Sequence, residues 1–191
     1  MFLRLLFCLL SIVFENGYDL RKEKRSRMNI FFLSFNAKIA AEYHCDKHVV
    51  KMIIESAQLL YSAHWVLNPE NLPEGAYKKA HANHPCAIWV RESLSNYRWL
   101  CELGWWLCKE YQYRYGEQKT HKTESHIWWL QENPPATLID IGVTTIRLAM
   151  PDEYKCGNPV QAYRRYYKES KLETRNIVKY TRRDWPSFLK R

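Results

Sequence analysis

The sequence predicts a mainly α fold: a compact single-domain helical bundle with a short extended N-terminal segment and long ordered loops. Three observations predict it. Apolar residues recur at helical spacing through two long stretches, residues 37–65 and 85–115. The segments that follow, NPENLPEG and the glycine at 116, carry the residues that end helices. The one stretch rich in β-branched residues, ATLIDIGVTTIRLAMPDEYKCG, lacks the clean alternation of a strand and reads as an ordered loop.

Residues 1–27 stand apart from this pattern. MFLRLLFCLLSIVFENG has an apolar run of signal-peptide length, but it has no small-x-small cleavage site and falls short of the roughly 20 residues that cross a bilayer. No stable membrane association is expected. With the polar RKEKRSR that follows, it reads as a disordered extension, either signal-like or the product of an upstream start, ahead of a domain over 28–191.

Ile30 to Phe35 forms a short buried strand or an extended lead-in, since a brief apolar run cannot be assigned by periodicity. Asn36 is placed to cap the helix over Ala37–Trp65, which is open to interruption near Cys45 and Asp46. Asp46 falls toward the core side of an unbroken helix, so it must cap a restart or meet a specific partner. Asn83 and His84 precede Pro85, which suits a first helical turn, and the helix from there to Gly116 is the expected centre of the fold. A shorter helix over His121–Glu132 stops at Asn133-Pro134-Pro135. Asn158-Pro159 opens a last one, VQAYRRYYKESK, before the basic, aromatic tail NIVKYTRRDWPSFLKR.

The formal charge of +9 is unevenly placed. Lys plus Arg against Asp plus Glu is 6 to 3 over residues 1–27, 12 to 12 over 28–150 and 11 to 5 over 151–191. A basic segment interleaved with Tyr and Trp suits a polyanion, although a solvated face that keeps the protein dispersed accounts for the same charges. The six cysteines show no regular spacing, so free thiols in a reducing compartment are expected rather than a disulfide scaffold.

The stretch YHCDKHVVKMIIESAQLL carries the densest polar chemistry. At about 100° per residue, His44, Lys47, His48, Lys51 and Glu55 share one side of the helix, opposite Val49, Ile53, Ala57 and Leu60. Two amines beside a carboxylate and imidazoles are the ingredients of an amine nucleophile with an acid/base partner. An ordinary wet face laced by a Lys51–Glu55 pair has the same spacing. A metal site is not expected: H-C-x-x-H is no zinc spacing, and His81, His84 and Cys86 bring no CxxC pair with them. No cofactor is expected either.

CDKHVVKMIIESAQLL, NHPCAIWVRESLSNYRWL, CKEYQYRYG, AMPDEYK and AYRRYY together resemble the pyrimidine dimer DNA glycosylase-like family of phage and large-virus proteins, over about residues 28–188. A looser bacterial relative shares Lys47, Lys51, Glu55, the Asn83-His84-Pro85 triplet and Trp89. The resemblance implies a helical protein that binds damaged duplex DNA, exposes a pyrimidine and breaks its glycosidic bond through an imine at C1′, with or without strand cleavage. It places the protein in the cytoplasm or wherever viral or host DNA resides. In the phage enzyme the nucleophile is the chain's own terminal amine. An extension, or a start at Met28-Asn29, does not supply the small trimmed terminus this needs, so the nucleophile does not carry over.

The candidate catalytic residues are therefore Lys47, His48, Lys51, Glu55 and His84, with the carboxylate stabilising charge on the sugar, a lysine attacking and a histidine moving protons. Trp89, Tyr97 or Trp99 could line a base pocket, although Trp89 and Tyr97 also fit the inward helical period. Arg91, Lys155, Arg164, Arg165, Tyr167, Lys179, Arg183 and Trp185 are the expected nucleic-acid contacts, joined by Tyr163, Lys168 and Arg182. Two alternatives stay open: a non-catalytic nucleic-acid-binding protein, and a metal-dependent or nucleotide-processing enzyme using the histidine-rich cluster. A monomer is the default.

Overall fold

A computed structural model describes residues 28–172 and 178–190. The expectations for residues 1–27 lie outside them. Among the described residues there is no strand and there are six α-helices, as the mainly α prediction requires. They are α1 (Ala37–Glu42), α2 (Asp46–Leu67), α3 (Pro85–Val90), α4 (Leu94–Tyr115), α5 (Glu124–Glu132) and α6 (Pro159–Tyr166). The last continues as a π-wound turn over Tyr167–Leu172. Helices α2 and α4 pack against each other at the centre, with α1 and α5 against α4 and α3 against α2.

Residues 30–33 form the extended lead-in, and they are wholly buried. Phe31 stacks on His48 and meets Tyr167 edge-on, while Phe32 stacks on Trp99 and meets Trp89 edge-on. These contacts bind the lead-in to α2, to α3 and α4, and to the segment after α6. Asn36 caps α1 by accepting from Ile39 N at 3.0 Å.

Both long helices are interrupted. The first breaks at 43–45, where Tyr167 Oη accepts from Cys45 N at 2.9 Å and fixes the chain as α2 begins. The second breaks at Arg91–Ser93, a departure from the unbroken helix expected, because the Ser93 hydroxyl accepts from Ser95 N and caps a new helix. Gly116, at φ 122°, ends α4 as predicted. At Gly104 a Cβ would lie 2.7 Å from Ile127 Cδ1, so the glycine is what lets α5 approach α4.

A buried charge network joins the start of α2 to the C-terminal tail. The Arg114 side chain, with no exposure, bonds Glu110 Oε1 at 2.6 Å, Asp46 Oδ1 at 2.9 Å and the Glu42 carbonyl at 3.0 Å. Asp46 also accepts from Thr181 N at 2.9 Å and Thr181 Oγ1 at 2.7 Å, and Arg183 clasps Glu110 through Nε and Nη2. This is the specific partnership that Asp46 required.

Two predictions follow from burial. Arg114→Met leaves Glu110 with Arg183 as its one cation and Asp46 with only hydroxyl and amide donors, and should cost about 3 kcal/mol in chemical denaturation. His44 and His64 are held neutral by burial, each lowered to about 4 from 6.5. The unfolded chain therefore takes up protons that the folded chain refuses, so stability is complete above pH 6.5 and falls as pH drops toward 4. Each histidine contributes up to about 1.4 kcal/mol per pH unit across that window. His44→Gln and His64→Gln should flatten the denaturation midpoint against pH; an unchanged slope contradicts the assignment.

Candidate active site

The polar stripe of α2 does not form one wet surface. His44 and His48 are buried, Glu55 is 7% exposed, Lys51 is half-exposed and Lys47 is exposed. The helix is central, so a side expected to face solvent is largely covered by the lead-in and by the segment after α6. His44 Nδ1 bonds the Ala40 carbonyl at 2.7 Å, and His48 Nδ1 pairs with Tyr167 Oη at 2.8 Å. His48 is thus a packing residue beneath Phe31 rather than a member of an open site.

What remains of the stripe is a tight pair. Lys51 Nζ lies 2.5 Å from Glu55 Oε1, with side-chain exposures of 41% and 9%. On its other oxygen Glu55 accepts from Asn29 N at 3.3 Å. The Asn29 side chain is itself fixed, donating to the Ala149 carbonyl at 2.8 Å and accepting from Cys86 Sγ at 3.5 Å. Burial raises the Glu55 pKa above its usual 4.5, against the opposing pull of Lys51, Asn29 N–H and His81. Burial and the nearby Glu55 charge push the Cys86 thiol up to about 12, so it is a protonated donor and not a nucleophile.

The loop before α3 brings histidines to this pair. It runs back along α2: Trp65 Nε1 donates to the Tyr77 carbonyl at 2.8 Å, Ser62 Oγ to the Ala80 carbonyl at 2.5 Å, and His81 then lies near Glu55. His81 has a left-handed backbone, φ 51°, which is uncommon outside glycine and closes the turn in which His84 N donates to the His81 carbonyl. His84 caps α3 by accepting from Cys86 N at Nδ1, and burial lowers its pKa, holding the ring neutral near pH 7. Among the described residues no group of three His, Cys, Asp or Glu converges as a metal-ligand set.

Lys51 and Glu55 are in contact, His84 connects to them through Cys86 and Asn29, and Lys47 is exposed. Asn29, His81 and Cys86 join the site without having been singled out for it. Asn29 had one available signal: it is the polar residue directly ahead of the apolar run that opens the domain.

The expected nucleic-acid residues fare unevenly. Tyr167 is fully buried, with its hydroxyl engaged with Cys45 and His48. Tyr163 is buried as well, donating to the Arg147 carbonyl at 2.8 Å. Arg164 turns inward to the Leu33 carbonyl at 2.8 Å, and Arg183 is held by Glu110 and Glu42. Lys155 pairs with Asp152 at 2.6 Å, and Arg165 bonds the Glu153 carbonyl and pairs with Glu169. Arg91 donates to the Ala82 carbonyl at 2.5 Å. Lys179, Arg182 and Trp185 are exposed. Much of the basic tail's charge density serves to fasten the tail. Trp89 and Tyr97 belong to the core, and Trp99 is half-buried on Phe32.

Comparison with family models, with curated proteins and with solved structures gives no match. No described helix is long and apolar enough to cross a membrane.

The Glu55 environment predicts a measurable titration. Its carboxyl carbon, followed by ¹³C NMR, should titrate above pH 4.5. Lys51→Met should move the midpoint higher still, because it removes the cation that opposes desolvation. A midpoint at or below 4.5 in both proteins contradicts the enclosed site.

Proposed function

We propose that this protein acts on DNA as a base-excision enzyme, with Lys51 as the amine nucleophile and Glu55 as its carboxylate partner. The observation that carries the reading is the 2.5 Å contact between a half-exposed ammonium and a carboxylate that burial has made more basic than usual. The sequence resemblance to pyrimidine dimer glycosylases supports the same chemistry. Lys47, the other lysine considered, is exposed and lacks the carboxylate, so Lys51 is the better nucleophile.

Glu55 takes a proton from the Lys51 ammonium, which frees the nitrogen lone pair. The amine attacks C1′ as the glycosidic bond breaks. The base departs with the bonding electrons and receives a proton from Glu55 or from solvent. As Glu55 hands its proton to the departing base it returns to a carboxylate, beside the positive charge developing on the sugar. Opening of the sugar ring, in which the second nitrogen proton passes to O4′ as the C1′–O4′ bond breaks, leaves a protonated C1′ imine that water hydrolyses. Neutral His84, its Nδ1 taken by Cys86 N, is the histidine considered for proton relay. Asn29 N–H and the Lys51 ammonium hold the two carboxylate oxygens apart, fixing which one faces the lysine.

Borohydride reduction of the imine tests the proposal. Protein incubated with abasic duplex should yield a covalent protein–DNA species. Glu55→Gln should lower its rate of formation by about 10²–10⁴-fold while leaving the melting temperature nearly unchanged. Absence of any adduct on ultraviolet-damaged and abasic duplexes removes the imine mechanism and leaves a binding protein.

A further inference from the structure

The segment after α5 holds a second feature, which the chemistry above does not use. Ile139, Ile141 and Val143 are 74%, 68% and 57% exposed, three aliphatics gathered at one loop tip. Scattered exposed apolar residues are ordinary, but a cluster on a fixed loop is not.

The loop is fixed by hydrogen bonds to the break between α3 and α4. The Ile139 carbonyl accepts from Leu94 N at 3.1 Å, and the Gly142 carbonyl from Ser93 Oγ at 2.7 Å. Asp140 accepts from Ser95 Oγ at 2.5 Å and Gly142 N at 3.1 Å, and Asn96 accepts from Thr144 N at 2.9 Å. Gly142, at φ 80°, supplies the left-handed bend between Ile141 and Val143. The backbone is held in place, and among the described residues nothing covers its aliphatic side chains.

The loop's surroundings are cationic on balance. Arg98 pairs with Asp140 at 3.5 Å and Arg147 with Glu92, the two arginines being 64% and 45% exposed. Arg91 lies close enough to Arg147 for their charges to interact. Three guanidiniums thus stand against two carboxylates. The same segment then reaches the Glu55 site, where the Ala149 carbonyl holds Asn29. From Ile141 to Ala149 the chain can span at most roughly 29 Å, which bounds the separation of the two.

We infer that Ile139, Ile141 and Val143 form an apolar wedge that enters a DNA duplex between base steps, with Arg91, Arg98 and Arg147 against the flanking phosphates. The inference rests on the DNA reading above. Apolar side chains inserted at a base step unstack it, and a rigid loop delivers them without a further ordering cost. The wedge would open the stack for a nucleotide bound at Lys51 and Glu55.

The test compares wild type with the triple variant Ile139→Ser/Ile141→Ser/Val143→Ser, whose changes are all at exposed positions. The probe is a duplex carrying 2-aminopurine beside a non-cleavable abasic analogue. Wild type should raise its fluorescence, and the variant's rise should be roughly fivefold smaller or less. Borohydride adduct formation on a single-stranded abasic oligonucleotide, which needs no unstacking, should be equal for both proteins. Equal fluorescence rises overturn the wedge while leaving the excision chemistry standing. An absent single-strand adduct with a wild-type fluorescence rise lost in the variant overturns the chemistry and keeps the wedge. If the variant instead loses only self-association by sedimentation, the loop is an interface between copies and the wedge is wrong.

Discussion

Arg114 is the constraint on which the arrangement depends. A guanidinium with no solvent exposure must have its donors answered, and it finds them on three separate segments: Glu110 on its own helix, Asp46 at the start of α2 and the carbonyl of Glu42 at the end of α1. Charge burial of this kind adds little net stability compared with apolar packing, but removing a partner is expensive, so the geometry is enforced. It ties the end of α1 to the start of α2 across the break at 43–45, and its partners Asp46 and Glu110 also hold Thr181 and Arg183 of the tail.

The consequence is felt one turn and more along α2. With its start pinned and its far side covered by Phe31 and Tyr167, α2 places Lys51 at the boundary between core and solvent and Glu55 just inside it. The lead-in and the loop before α3 then close over Glu55 from two directions, through Asn29 and His81. An i,i+4 lysine–glutamate pair on an open helix is worth only a few tenths of a kcal/mol. Here, with the carboxylate desolvated and the amine still reachable, the same pair acquires acid/base character that the open version lacks.

The helical class, the cap at Asn36, the prolines at 85 and 159 and the stop at Gly116 were all legible, because each depends on local backbone chemistry. The break at Ser93 was visible only as a residue capable of capping; what decides it is a hydroxyl facing a loop more than forty residues away. Lys47, His48, Lys51 and Glu55 share one side of α2, which is exposed at Lys47 and buried at His48 and Glu55, while His44 lies before the helix. Periodicity tells which side chains share a face, but whether that face meets water depends on what packs there, and the covering residues Phe31 and Tyr167 come from distant segments. The tail shows the same limit: its cations were countable, but the carboxylates and carbonyls that hold Arg164 and Arg183 are tertiary partners.

The central claim is that Lys51, in contact with Glu55, is the reactive amine. Peptide mapping of a borohydride-reduced DNA adduct by mass spectrometry tests it most directly. The account predicts the sugar mass on Lys51. Finding that mass on Lys47, on another lysine or on a terminal amine would contradict it.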